Sequence, residues 1–267
     1  MSNKAMSVSS LQKMKAAGER FAVLTAYDAT FASLLDECGV EVILVGDSLG
    51  MVVQGGTTTL PVTVDDIVYH TRAVSRGSKH ALIMADMPFM ADATPQQAVQ
   101  NAGRLMKEGG AHMVKLEGGA SQVEVVRRLS ELGIPVCGHL GLQPQSVHKL
   151  GGYKVQGRDE AAAESILNDS RKLVEAGADM LLLECVPAAL AAQVTNAVTV
   201  PVIGIGAGAQ TDAQVLVLYD MLGITPGHRP KFTHDFMTGN GSIAEAIRAY
   251  VSAVKSGQFP AEQHCFH

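Results

Sequence analysis

Paired cysteines, long apolar runs and blocks of basic residues are all missing from this chain, and each absence removes a class of protein. The 267 residues include four cysteines, Cys38, Cys137, Cys185 and Cys265, set far apart with no CxxC pair. That spacing excludes a zinc knuckle and a disulfide scaffold, and each cysteine reads as a small buried hydrophobe or a free thiol. No apolar run approaches the roughly 18 residues that a membrane-crossing helix needs. Residues 1–18 carry no apolar signal core, so the expected setting is the cytoplasm, with no membrane partner. Charge is also scarce: 18% of residues are Asp, Glu, Lys or Arg, and the net charge is −5 with no basic block. Nucleic acid is therefore excluded as the principal partner. Low-complexity segments, interdomain linkers and sequence repeats are absent as well.

What is present is core material. Hydrophobic residues make up 47% of the chain, enough to exclude disorder as the main state. Short aliphatic runs occur at 21–25, 41–46, 81–85, 112–116, 134–138, 178–183, 200–205 and 215–219. Each is near-continuously apolar, as strands buried on both faces in a parallel sheet must be. Amphipathic helical patterns separate most of them. Phe31, Leu34, Leu35 and Cys38 follow the i, i+3, i+4, i+7 spacing, with Gly39 as the stop. Thr94-Pro95 with Gln97, and Ser121 with Glu124, predict capping boxes that open two further helices.

Eight such runs in 267 residues give about 33 residues per repeat, the length of one βα unit. The expected fold is α/β, a single-domain (β/α)8 TIM barrel over residues 1–267. A short helical extension (about 1–18) precedes it and a helical tail (about 241–267) ends it. An open doubly wound sheet is the alternative, because periodicity does not show closure.

In a (β/α)8 barrel the chemistry sits where strands finish. Run two ends in Asp47-Ser48 and run three in Asp86. Run four carries Lys115 and Glu117, two apart and so on one face. Runs five and six end in His139 and Glu184. Singly, each has a structural reading: Asp47 or Asp86 as a helix cap, Lys115 and Glu117 as an ion pair, His139 as a satisfied core residue. Together, five successive strands aim ionisable groups at one rim. Asp47, Asp86 and Glu117 would repel one another unless neutralised, and Lys115 supplies one positive charge. A divalent cation resolves that, and an all-oxygen donor set favours a hard ion such as Mg²⁺. The GIGAG stretch at 204–208 is not a dinucleotide fingerprint. It reads either as a phosphate loop or as a turn that admits close backbone approach. His264 and His267, at the chain end, read as a tail.

Longer blocks carry a resemblance. TAYDATFA (25–32), VGDSLGMVVQG (45–55), TLPVTVDDIVYHT (59–71), DMPFM (86–90), VKLEGG (114–119), PVCGHLGLQPQSV (135–147), GGYKVQGR (151–158), LECVP (183–187) and PVIGIGAG (201–208) resemble the ketopantoate hydroxymethyltransferase family from about residue 7 onward. The resemblance implies a (β/α)8 barrel assembled as a homodecamer. It also implies transfer of a hydroxymethyl group from 5,10-methylenetetrahydrofolate to 3-methyl-2-oxobutanoate, on the route to pantothenate. By the same resemblance Asp47, Asp86 and Glu117 are the ligands of one Mg²⁺ per subunit. Asp47, Ser48, Asp86, Lys115 and His139 contact the oxoacid, and Glu184 is the general base. Two other enzyme readings stand beside it: a class I aldolase with a Schiff base on Lys115, and a Mg²⁺-dependent lyase or mutase that needs no folate. A binding barrel without catalysis is a third reading, which the full set of strand-end groups disfavours.

Overall fold

The computed structural model describes residues 5–227 and 229–267. After helix α1 (Val8–Ala16) the chain runs β1 (Phe21–Thr25), α2 (Ala29–Glu37), β2 (Val42–Val45), α3 (Leu49–Val52), α4 (Val64–Gly77), β3 (Leu82–Asp86), α5 (Pro95–Lys107) and β4 (Met113–Glu117). It continues through α6 (Val123–Glu131), β5 (Val136–Gly141), α7 (Val147–Leu150), α8 (Glu160–Glu175), β6 (Met180–Glu184), α9 (Ala188–Ala197) and β7 (Val202–Ile205). Strand β8 (Ala213–Leu216), α10 (Leu218–Met221) and α11 (Ile243–Ser256) complete it. The strands pair in parallel in chain order, and β8 returns to β1, so the sheet is a closed barrel and the open-sheet alternative is excluded. Among the described residues no helix is long and apolar enough to cross a membrane.

Burial explains the strand pattern. One side of each strand faces a lumen filled by residues such as Val23, Met84, Met113 and Leu182, and the other packs under the helices. Leu11 of α1 is fully buried against the lumen residues, so α1 plugs the amino-terminal end of the barrel. Side-chain caps start most of the long helices: Asp28 for α2, Thr63 for α4, Asp159 for α8 and Ser242 for α11.

Three expectations need correction. Thr94 caps α5, but the Gln97 amide bonds the Met90 carbonyl instead of closing the box. Ser121 lies in a 3-10 turn that runs straight into α6, so the predicted second box is not formed. The eighth strand begins at Ala213, ahead of the predicted run, and Leu218–Met221 is helix. No helix links β7 to β8. Residues 206–212 make the return, with Gly206 and Gly208 at φ of 59° and 75°. A Cβ on Gly206 would lie 2.9 Å from Phe232, and one on Gly208 2.5 Å from Ala188. The GIGAG stretch is thus a turn under close packing.

A fourfold device closes the amino-terminal rim. Glu41, His112, Asp179 and Asp212 each stand one residue before an even-numbered strand. Each side chain accepts a backbone N–H at the start of the preceding odd strand: Ala22, Ile83, Val136 and Val202, at 2.8–3.1 Å. The same four residues return their own N–H groups to the carbonyls of those four partners. Barrel register repeats over pairs of strands, so one solution recurs four times.

Candidate active site

Strand register assembles the opposite rim. Asp86 on β3 stands beside Lys115 on β4, and Glu117, two residues further along the same face, stands beside His139 on β5. Glu184 ends β6 beside Gly141, one pleat above the level of His139. Asp47 follows β2 and donates its N–H to Asp86 Oδ2 at 2.9 Å. All seven sequence-predicted residues, Asp47, Ser48, Asp86, Lys115, Glu117, His139 and Glu184, line one cavity of about 610 Å³. Apolar side chains such as Leu44, Leu182, Ile205 and Val215 form much of the rest of its wall.

The inner groups are buried, and their partners are mostly one another. Lys115 Nζ lies 2.8 Å from Asp86 Oδ1 and 3.3 Å from His139 Nδ1. His139 Nδ1 is 3.4 Å from Glu117 Oε1, and its Nε2 is 3.3 Å from Glu184 Oε2, close but poorly aligned for a hydrogen bond. Tyr27 and Ser48 share a hydroxyl–hydroxyl bond of 2.9 Å. Neither Asp47 nor Asp86 caps a helix: Ser48 holds the N-cap position of α3 and makes no side-chain cap bond.

Burial sets the ionisation, and charge then modifies it. Asp47 is pushed up to about 8 by burial and by the neighbouring Asp86 charge, and Asp86 is raised by its own burial. Burial alone would lower Lys115, but the charges of Asp86, Glu117 and Asp47 outweigh it, so the ammonium is held protonated. His139 is raised to about 9, because the adjacent Glu117 and Glu184 carboxylates overcome burial and the Lys115 charge. At neutral pH Lys115 and His139 therefore supply two positive charges among four carboxyl groups.

That surplus of buried oxygen donors fits a hard divalent cation. Among the described residues, no three carboxylate, imidazole or thiol groups converge into a finished cage. Asp47 is the donor best placed to start one: both Asp86 oxygens are engaged, by Lys115 and the Asp47 N–H, and both Glu117 oxygens, by the Gln145 N–H and His139, whereas Gln145 takes one Asp47 oxygen. Chelating ligand or water must complete such a shell.

Several wall residues carry no sequence signal. Gln145 is buried under the carboxylates. Phe232 and Phe266 line the outer cavity with Lys231, which bonds the Cys265 carbonyl at 2.6 Å. The C-terminal segment is thus part of the site wall: His264 is buried, and the Phe266 carbonyl accepts the Ala188 N–H at 2.9 Å. Cys185, immediately after Glu184, takes φ of 47°, turning the chain sharply at the rim. All four cysteines are buried and free.

The family profile described as Ketopantoate hydroxymethyltransferase matches residues 5–262. A Nitrosococcus oceani protein named 3-methyl-2-oxobutanoate hydroxymethyltransferase is 61% identical over 255 residues, covering 96% of this chain and 97% of its own. A Cronobacter sakazakii protein of the same name is 57% identical over 264 residues, covering 99% and 100%. Among solved structures, a 2,3-dimethylmalate lyase of the PEP mutase/isocitrate lyase superfamily matches with a TM-score of 0.58 at 18% identity, covering 82% of this chain and 83% of its own. A phosphonopyruvate hydrolase matches at 0.60 and 11%, covering 79% and 80%. At those identities the structural likeness concerns the fold.

Proposed function

Because the chain belongs to the ketopantoate hydroxymethyltransferase family and is a hydroxymethyltransferase, we propose that it carries a hydroxymethyl group from 5,10-methylenetetrahydrofolate to C3 of 3-methyl-2-oxobutanoate. The product is 2-dehydropantoate. The observation that carries this reading is the Lys115–Asp86 pair, buried among Asp47 and Glu117, with Glu184 at the end of β6 lining the same cavity.

Each side chain has a task in that reaction. Lys115, held as an ammonium, is a point charge for the substrate carboxylate. Ser48, tied to Tyr27, bounds the same polar floor. Asp47 and Asp86, with Glu117 behind them, would hold one Mg²⁺, which supplies Lewis-acid polarisation of the 2-oxo oxygen. Glu184 is the carboxylate outside that set, and we assign it removal of the C3 proton. His139, charged below about pH 9, stands between Glu184 and Glu117 and offsets the charge of both. The apolar wall suits the branched alkyl end of the substrate and excludes water from the carbanionic carbon. The protonated state of Lys115 disfavours the Schiff-base reading, which needs a free amine. A homodecamer, one Mg²⁺ per subunit and a cytoplasmic setting belong to the proposal through the family resemblance.

Proton NMR of 3-methyl-2-oxobutanoate in D₂O tests the chemistry apart from the donor. With protein and Mg²⁺, and no folate, the C3 proton signal should decay; Glu184→Gln should slow that decay about 10²–10⁴-fold. Equal exchange in the variant removes Glu184 from the base role. Exchange in wild type followed by no product on adding methylenetetrahydrofolate overturns the donor.

A further inference from the structure

Gln145 is uncharged and lies beyond the end of its strand, yet it reaches three of the carboxylate-bearing strand ends. It sits in the 3-10 turn Pro144–Ser146 and is 9% exposed. Its Nε2 donates to Asp47 Oδ2 at 2.8 Å and to the Met87 carbonyl at 2.9 Å. Its backbone N–H donates to Glu117 Oε2 at 3.1 Å. Both amide hydrogens are spent, one past the end of β2 and one just past Asp86 at the end of β3. The backbone N–H serves the end of β4.

We propose that Gln145 is the positioning residue of the carboxylate set. It pins one oxygen of Asp47 and leaves the other without a hydrogen-bond partner among the described residues, on a side chain that lines the cavity. This inference rests on the divalent-cation reading of the site given above.

The residue type follows from the task. A lysine or arginine here would bond Asp47 as well, but its positive charge would cancel the field that draws in a cation. A hydroxyl has one hydrogen and could not serve Asp47 and Met87 together. A primary amide provides two directed donors and no net charge. It orients a buried carboxyl group without adding a charge of its own, as outer partners of metal ligands do.

The test is cation affinity measured without turnover. Free Mn²⁺ is counted by electron paramagnetic resonance during titration of the whole protein, and melting of the metal-free protein is followed in parallel. Gln145→Met keeps the side-chain volume and the backbone N–H to Glu117, and deletes only the two amide bonds. The expected result is Mn²⁺ binding weakened about 10–100-fold at a temperature where both proteins are folded. Unchanged Mn²⁺ affinity in the folded variant reduces Gln145 to a packing role and overturns the inference. Should Gln145→Met fail to fold, Gln145→Asn, which draws the amide back by about 1.5 Å, carries the same expectation with a smaller loss. Wild-type protein that takes up no Mn²⁺, with or without 3-methyl-2-oxobutanoate, overturns the cation reading itself.

Discussion

At the amino-terminal rim of the barrel Glu41, Asp179, Asp212 and His112 each accept a backbone N–H. At the carboxyl-terminal rim Asp47, Asp86, Glu117, Glu184 and His139 face a cavity and, chiefly, one another. The residue types are the same; the partners differ. A carboxylate bonded to the backbone satisfies a donor the fold would otherwise leave open, and so adds stability. A carboxylate crowded against other carboxylates keeps an unmet demand for positive charge, which costs stability and serves chemistry. Backbone N–H groups reach Asp86 and Glu117 as well, so the two rims divide by whether the acidic side chains crowd against one another.

The widest gap between the rims should appear at Asp47. Its carboxyl is pushed up to about 8 by burial and the Asp86 charge. A carboxyl whose folded pKa exceeds its unfolded value, near 3.8 here, costs nothing below that value. The penalty then grows as pH rises toward 8. Metal-free wild type should lose stability across that window and Asp47→Asn should not. The variant should end about 1–4 kcal/mol more stable at pH 8, as read by urea unfolding at pH 5 and pH 8. A variant less stable than wild type at pH 8 would erase the contrast.

At the other rim the sign reverses. Asp212 takes the Val202 N–H at 2.8 Å and pairs with Lys15 at 2.7 Å. Asp212→Ala should cost about 1–3 kcal/mol, while C3 exchange per folded molecule stays within about twofold of wild type. A large loss of exchange at unchanged stability would show that the rims are not separable.

His112 sharpens the comparison most finely, as the one titrating imidazole among the four amino-terminal acceptors. Burial holds it below the usual histidine value of 6.5. A group with a depressed imidazole pKa contributes fully above 6.5, and that contribution fades as pH falls below it. His112→Asn retains an acceptor that does not titrate, so its stability should change less than that of wild type between pH 7 and pH 5. Solvent screening keeps the difference under about 1 kcal/mol, and paired thermal melts would resolve it.

The barrel was legible because strands buried on both faces leave continuous apolar runs, as at 81–85 and 178–183. The eighth was misplaced because Gln214 interrupts it. That side chain bonds the Gly208 carbonyl and the Thr211 hydroxyl, and the more apolar residues after it belong partly to α10. The strand-end cluster was legible as a set of charges on successive strands. Gln145 lies inside the block at 135–147, but its task is not legible there, since an uncharged side chain in a loop carries no mark of its partners. Phe266 was read with the C-terminal tail, because contact with the far side of the cavity leaves no local pattern. The fourfold rim device was hidden by its irregular spacing along the chain and by the variety of its acceptors.

The plug at the bottom of the barrel has a consequence for time. Leu11 packs among lumen residues from across the barrel. Lys15 reaches the Thr195 carbonyl at 3.0 Å and Asp212 at 2.7 Å, and β1 finds its second partner only in β8. The earliest-synthesised helix described here thus waits for the last strand before its apolar face is covered. Contacts that join such distant parts of a chain form late, and contacts absent from the transition state govern how fast a protein comes apart. Loosening the seam between α1, β1 and β8 should therefore speed unfolding more than it slows folding, at the opposite end of the barrel from its chemistry.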